Sequence, residues 1–292
     1  MTITASEIAS QPAIWREGLA LHDRARELLA APGEKVLVLG CGTSAFVAES
    51  LAWLRESGGF GITDAAYASE PRRWRDYDRV VALTRSGTTS EVLEALRRVP
   101  AGVRKIAVTG VQDAPVHELV DEALVLDFAD ERSVVQTRFP TTLLLLARAA
   151  LGEEVSQLPA QAEAILAAPL PLDVSRLDHF VYLGSGWTHG LAQEAALKIR
   201  EAAQAWSESY PLLDYRHGPI AVAHPGSLVW VFGSVDPGLV ADIRTTGAQV
   251  VSDAGDPLVQ LVQAQRLAVA LAESRGLNPD SPRHLSRSVI LQ

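Results

Sequence analysis

Two short turns carry more hydroxyls than their helices need. Gly40-Cys-Gly-Thr-Ser44 and Thr84-Arg-Ser-Gly-Thr-Thr-Ser90 each follow an apolar run and precede a helical pattern. Each therefore presents backbone N–H groups and hydroxyls at the positive end of a helix, where a phosphate or other anion is held. A single N-cap hydroxyl, worth about 1 kcal/mol, would serve each helix. Thr84, Ser86, Thr88, Thr89 and Ser90 around Gly87 are a surplus. Farther along, Glu194, Lys198 and Glu201 stand at i, i+4 and i+7 on one helix face. By spacing alone they are a surface Glu–Lys ladder, although a carboxylate there could also serve as a base. His217, in Tyr215-Arg-His-Gly-Pro219, is either a turn residue or a group able to exchange protons near neutrality.

The elements that position these residues follow from periodicity. Val36 to Leu39 are a continuous apolar run, as in a strand buried on both faces, and Ala45 to Ala52 are good helix formers. The plan recurs half a chain later. His179-Phe-Val-Tyr-Leu-Gly-Ser-Gly-Trp-Thr188 aligns without a gap when Gly40 is laid on Gly184 and Gly42 on Gly186. Such self-similarity predicts two related domains. Strands near 62–68, 80–83, 105–110 and 123–127 alternate with helices in the first; the second reads as strand 180–183, turn 184–188, helix 190–206, strands 228–232 and 248–251, and helix 257–274. It has no counterpart of the strand at Leu124 and no second hydroxyl cluster, so anion binding is assigned to the first domain. The predicted fold class is α/β: two tandem three-layer α/β/α domains with mainly parallel sheets, of flavodoxin type without a nucleotide. The expected boundaries are a helical segment over 1–34, the first domain over 35–151, a linker helix over 152–176, and the second domain with its tail over 177–292. The arginines of the connection 69–79 read as a solvated face.

Composition narrows the function. A net charge of -9 over 292 residues argues against general nucleic-acid or anionic-membrane partners, so any phosphate affinity must be local. Cys41 is the only cysteine, excluding an intrachain disulfide, and no metal-ligand spacing of His, Cys and carboxylates is visible; neither metal nor cofactor is expected. The amino terminus lacks a charged and apolar leader, and no apolar run approaches the roughly 20 residues that span a bilayer, so a cytoplasmic location is expected. Gly40-x-Gly42-x-x-Ala45 also fits the dinucleotide fingerprint, but Asp64 and Glu70, the acids at about the right distance, do not clearly end an apolar strand. That fingerprint gives no reason for a second hydroxyl turn.

Gly40-Cys-Gly-Thr-Ser44, Ala68-Ser-Glu70, Leu83-Thr-Arg-Ser-Gly-Thr-Thr89, Glu194-Ala-Ala-Leu-Lys-Ile-Arg-Glu201, Arg216-His-Gly-Pro219 and Pro282-Arg-His-Leu-Ser-Arg-Ser-Val289 together resemble the two-domain sugar isomerase (SIS) family, in the same order. The similarity is strongest to the isomerase half of the glutamine-fructose-6-phosphate amidotransferases and to related sugar-phosphate isomerases and deaminases. The resemblance implies that a sugar phosphate lies between Gly42, Thr43, Ser44 and Thr84, Arg85, Ser86, Gly87, Thr88, Thr89, with Val134 on the adjoining loop. It casts Glu201 as the enolisation base, Lys198 as its neighbour, and His217 as the ring-opening group, often supplied across a homodimer interface. Arg85 is either a further phosphate contact or a solvent-facing arginine. Arg287 stands where the amidotransferases carry a lysine, and guanidinium does not readily form an imine. Nothing in the sequence matches the family's glutaminase domain. The expected activity is isomerisation or deamination of a ketose or amino-sugar phosphate; the alternative is a sensor that binds such a ligand without turnover.

Overall fold

The computed structural model describes residues 1–70, 74–170, 172–252 and 255–291. Helices α1 (Ile3–Leu19) and α2 (His22–Ala25) precede β1 (Val36–Gly40), α3 (Thr43–Ser57), β2 (Thr63–Tyr67), β3 (Arg79–Leu83), α4 (Ser90–Arg97), β4 (Arg104–Thr109), β5 (Glu122–Val125) and α5 (Arg138–Ala150). After α6 (Leu158–Ala167) come β6 (His179–Gly184), α7 (Thr188–Ala203), β7 (Trp206–Pro211), β8 (Ser227–Val231), α8 (Pro237–Thr245), β9 (Gln249–Val251) and α9 (Pro257–Ser274).

The strands form two parallel sheets, ordered β2-β1-β3-β4-β5 and β7-β6-β8-β9. In each, the order reverses beside its first strand, which leaves a crevice at the carboxyl ends of β1 and β3, and of β6 and β8. Both faces of the central strands are covered, which is why they read as unbroken apolar runs. Val36 and Val38 face a large cluster that joins both sheets through α1, α3, α5, α7 and α9, whereas Leu37 and Leu39 face a smaller one completed by Val92 and Leu96 of α4. Val181, Leu183, Val229 and Val231 face a third, with Leu239 and Ile243 of α8.

The repeat is physical as well as textual. A Cβ on Gly40 would lie 2.4 Å from the Ser44 carbonyl carbon, and one on Gly184 would lie 2.2 Å from the Thr188 oxygen. Both turns thus press the following helix onto the strand end at a distance only glycine allows. Gly42 and Gly186 also share a left-handed backbone, at φ 54° and 61°.

Two expectations need correction. The helix expected over 190–206 stops at Ala203, because Gln204 turns left-handed (φ 49°), and the chain enters an edge strand, β7, that the helical periodicity had hidden. In the connection 69–79, residues 71–73 lie outside the described residues, but Arg79 is not a solvated arginine. It is 2% exposed, and its guanidinium pairs with Glu34 and donates to the Leu28 carbonyl. The second sheet, as expected, lacks a fifth strand among the described residues. No described helix is long and apolar enough to cross a membrane.

Candidate functional site

Both hydroxyl turns end at the same crevice. It is lined by Cys41, Ser44, Thr84, Arg85, Ser86 and Thr89, with Gln136 and Arg287 closing it from outside. Ser44 and the hydroxyls of Thr84 and Ser86 are buried. Gly42 caps α3 without a side-chain hydrogen bond, and Thr89 likewise caps α4 with none, so neither turn exhausts its hydroxyls on its own helix. Gly87 takes φ 65°, and a Cβ there would lie 2.4 Å from that of Ala114; the turn can fold this tightly only with glycine.

Several polar atoms at this crevice have no partner among the described residues: Thr84 Oγ1, Arg85 Nε and Gln136 Oε1. Buried polar atoms are nearly always satisfied, each one left bare costing about 1–3 kcal/mol. A ligand bearing both acceptors and donors, such as a phosphorylated sugar, would satisfy them.

Helix α7 brings the carboxylates to this place. Gly190 has no room for a Cβ, which would sit 2.3 Å from the Phe46 carbonyl oxygen, so α7 packs backbone against α3. Ser50 Oγ seals the contact by donating to the Trp187 carbonyl. Two turns on, Lys198 Nζ lies 2.7 Å from Glu201 Oε2, 3.3 Å from Glu194 Oε1, and donates to Thr43 Oγ1 at 3.1 Å. The predicted ladder is therefore a buried bridge between the halves, not a surface feature; Lys198 and Glu194 are each 1% exposed. Burial alone would lower the lysine's affinity for its proton, yet the two carboxylates hold it above the ordinary value. Burial pushes Glu194 up to about 7, against the pull of Lys198. Glu201 keeps partial access to solvent, as a group that exchanges protons with a substrate must.

The other expected residues divide. Thr88 Oγ1 lies 3.0 Å from Ser86 Oγ and 2.9 Å from Ser288 Oγ, so the second turn's hydroxyls are in contact with the tail. The solvent-facing alternative for Arg85 fails, since it is 2% exposed and donates to the carbonyls of Ser133 and Arg287. Arg287 reaches the crevice wall, but its guanidinium is engaged by the Asp130 carboxylate and the Glu131 carbonyl. Val134 is half-buried on the loop after β5, and its neighbour Gln136 is the residue that lines the crevice. His217 is exposed at the end of a 3-10 turn, and no described contact joins it to Glu201 or to either turn. Sequence reasoning missed Gln136 and Ser288. Ser288 follows Arg287 directly, but no local pattern says that the tail returns to the first sheet.

Comparison with known proteins bears on the fold that carries this arrangement. Residues 29–151 match the family model described as SIS domain. Glutamine–fructose-6-phosphate aminotransferase (isomerizing) of Pyrobaculum aerophilum is 26% identical over 92% of this chain and 53% of its own length; that of Gloeobacter violaceus is 28% identical over 98% and 58%. The chain thus spans little more than half the length of these relatives. Among solved structures, glucosamine-6-phosphate deaminase from Thermotoga maritima superposes with a TM-score of 0.85 at 27% identity, covering 99% of this chain and 100% of that one. Tagatose-6-phosphate ketose/aldose isomerase from Escherichia coli superposes at 0.81 with 21% identity, over 100% and 96%. Residues 29–151 are therefore similar to a SIS domain, and the whole chain has the fold of the Thermotoga glucosamine-6-phosphate deaminase and the Escherichia coli tagatose-6-phosphate isomerase.

Proposed function

We propose that the chain binds the phosphate of a ketose or amino-sugar phosphate in the crevice between residues 42–44 and 84–89 and moves a proton between adjacent sugar carbons through Glu201. The observation that carries this reading is the Lys198 bridge. One ammonium touches both the head of α3, where the phosphate would sit, and the carboxylate that would act as base. Phosphate binding would thereby fix the distance from the sugar's anchored end to Glu201, which is how remote binding energy orients reacting atoms. With glucosamine 6-phosphate, the substrate named for the Thermotoga relative, proton transfer from C2 to C1 yields an imine at C2. Water adds there and ammonia leaves, giving fructose 6-phosphate. Ring opening is assigned to His217 of a second copy in a homodimer, since within one chain it is exposed and no described contact joins it to the crevice.

One observation favours the sensor reading. Arg287 occupies the lysine position and is tied to Asp130, so no tail amine is free to form an imine with the open sugar. Isotope exchange from solvent into C1 or C2 of fructose 6-phosphate and glucosamine 6-phosphate decides between them. Exchange in the wild type that vanishes in Glu201→Gln supports the enzyme. Binding without exchange makes the protein a sensor.

A further inference from the structure

Arg85 differs from the other crevice residues in having three separate obligations. Its Nη1 donates to the Ser133 carbonyl at 2.8 Å, its Nη2 donates to the Arg287 carbonyl at 2.6 Å, and its Nε has no partner among the described residues although Arg85 is only 2% exposed and lines the crevice. The two carbonyls belong to segments of unlike rigidity. Ser133 is held on all sides: the Glu7 carboxylate accepts from its N–H, its hydroxyl lies 2.8 Å from Thr4 Oγ1, and the neighbouring Glu131 carboxylate accepts from the first N–H groups of α5. Residues 285–291 belong to no helix or strand, are mostly exposed, and meet the first sheet through few contacts. These are the Arg85 bond, the Ser288 hydroxyl beside Ser86 and Thr88, the Arg287 side chain on Asp130 and Glu131, and two hydrogen bonds with Ser90.

From this geometry, and resting on the anion-site reading above, we infer that Arg85 is a positioning residue that couples anion binding to tail closure. Its free Nε meets the ligand's phosphate, and the same planar guanidinium holds the tail down by the Arg287 carbonyl. A rigid fork can do this because its N–H directions are fixed relative to one another; when the ligand sets one, the others are aimed. The loop carbonyl of Ser133 is the fixed point against which the fork is braced. Coupling is reciprocal, so an ordered tail tightens phosphate binding by the same factor.

Hydrogen–deuterium exchange of residues 285–291 in the full chain, with and without inorganic phosphate or fructose 6-phosphate, tests the coupling. In the wild type, saturating probe slows tail exchange about tenfold, within the ordinary range for coupled sites. Arg85→Lys keeps the charge but not the fork; it still binds the probe, about three- to tenfold more weakly, and its tail exchange slows less than about twofold. Ser288→Ala leaves Arg85 and its acceptors intact and retains the slowing at 285–287. Equal slowing in Arg85→Lys, loss of slowing in Ser288→Ala, or a wild-type tail indifferent to a probe that demonstrably binds would each overturn the latch while leaving the anion site standing. Failure of the wild type to bind either probe would overturn the site itself, and the latch with it.

Discussion

The molecule contains the same turn twice and uses it in opposite ways. At residues 40–44 and 184–188, a glycine ends the strand, a left-handed glycine follows, and a helix begins. In the first copy, the turn opens on a crevice where Thr84 Oγ1 is unpartnered and Ser44 and Ser86 line the walls. In the second, Thr188 Oγ1 accepts from the Ser185 N–H and lies within 3.1 Å of both the Ser185 and Phe232 carbonyl oxygens. Trp187 lies under the guanidinium of Arg148, which is itself locked to Asp256 at the head of α9. The first turn leaves a hydroxyl beside it without a partner among the described residues, whereas the second spends its own on backbone groups and joins α7 to its neighbours. The repeated turn is a shared scaffold, and only the first copy has spare hydroxyls beside it, which is why the anion site is proposed there. The spent copy still contributes, because the helix it launches carries Lys198 and Glu201 back to the first.

The largest expected effect strikes at that contribution. Glu201→Gln should lower proton exchange on a turned-over sugar phosphate by about 10²–10⁴-fold, the usual worth of a positioned base. Lys198 retains Glu194 and Thr43, so binding of the substrate should change little. Full activity in this variant would leave the second half with no part in the chemistry.

Next is the shared scaffold. Gly40→Ala and Gly184→Ala each drive a methyl into helix backbone, at 2.4 and 2.2 Å, which no rotamer can relieve. Each should destabilise the fold by more than about 3 kcal/mol in denaturant melts. If one is tolerated, the two turns are not built alike, and the duplication would be a likeness of pattern only.

Much of this was legible beforehand, for identifiable reasons. Glycine constraints and unbroken apolar runs are local, so the two turns and the central strands are visible in the chain itself. Edge strand β7 was not, because Trp206-Ser-Glu-Ser-Tyr-Pro211 has an exposed, polar composition and follows a helix without a proline or glycine break. The ladder of Glu194, Lys198 and Glu201 was visible as a face, but its burial depends on Gly190 letting α7 approach α3, a contact between distant segments. The same holds for Arg85, whose acceptors at Ser133 and Arg287 lie far away in sequence.

The bridge between the halves has a pH signature. Burial raises the Glu194 carboxyl from 4.5 to about 7, so between those values the folded chain holds a proton that the unfolded chain releases. The contribution favours folding below pH 4.5 and is lost as pH rises through 7. It amounts to at most about 3 kcal/mol, a figure that already includes the opposing attraction of Lys198. Glu194→Gln should flatten the dependence of melting temperature on pH across this window. An unchanged slope would mean that the carboxylate is accommodated as an ion, and that Lys198 alone sets the local balance.

The smallest effects make the sharpest contrast, through the same substitution in both crevices. Thr84→Val removes a hydroxyl that has no partner among the described residues, so it should leave thermal stability unchanged or raise it slightly. Its cost should appear only with ligand, as an affinity for sugar phosphate weakened about fivefold to tenfold, equivalent to roughly 1 kcal/mol. Thr188→Val removes a buried hydroxyl that accepts from the part-buried Ser185 N–H and lies 3.1 Å from the buried Phe232 carbonyl oxygen, so both lose that partner. It should lower the melting temperature by about 2–4 °C for each kcal/mol lost, and leave ligand affinity where it was. Melting curves of both variants, each with and without fructose 6-phosphate, give four shifts. If Thr188→Val weakens the ligand as much as Thr84→Val does, the second crevice also binds and the division of labour is wrong. If Thr84→Val destabilises the free protein instead, its hydroxyl has a structural partner, and the unsatisfied crevice that marks the site disappears.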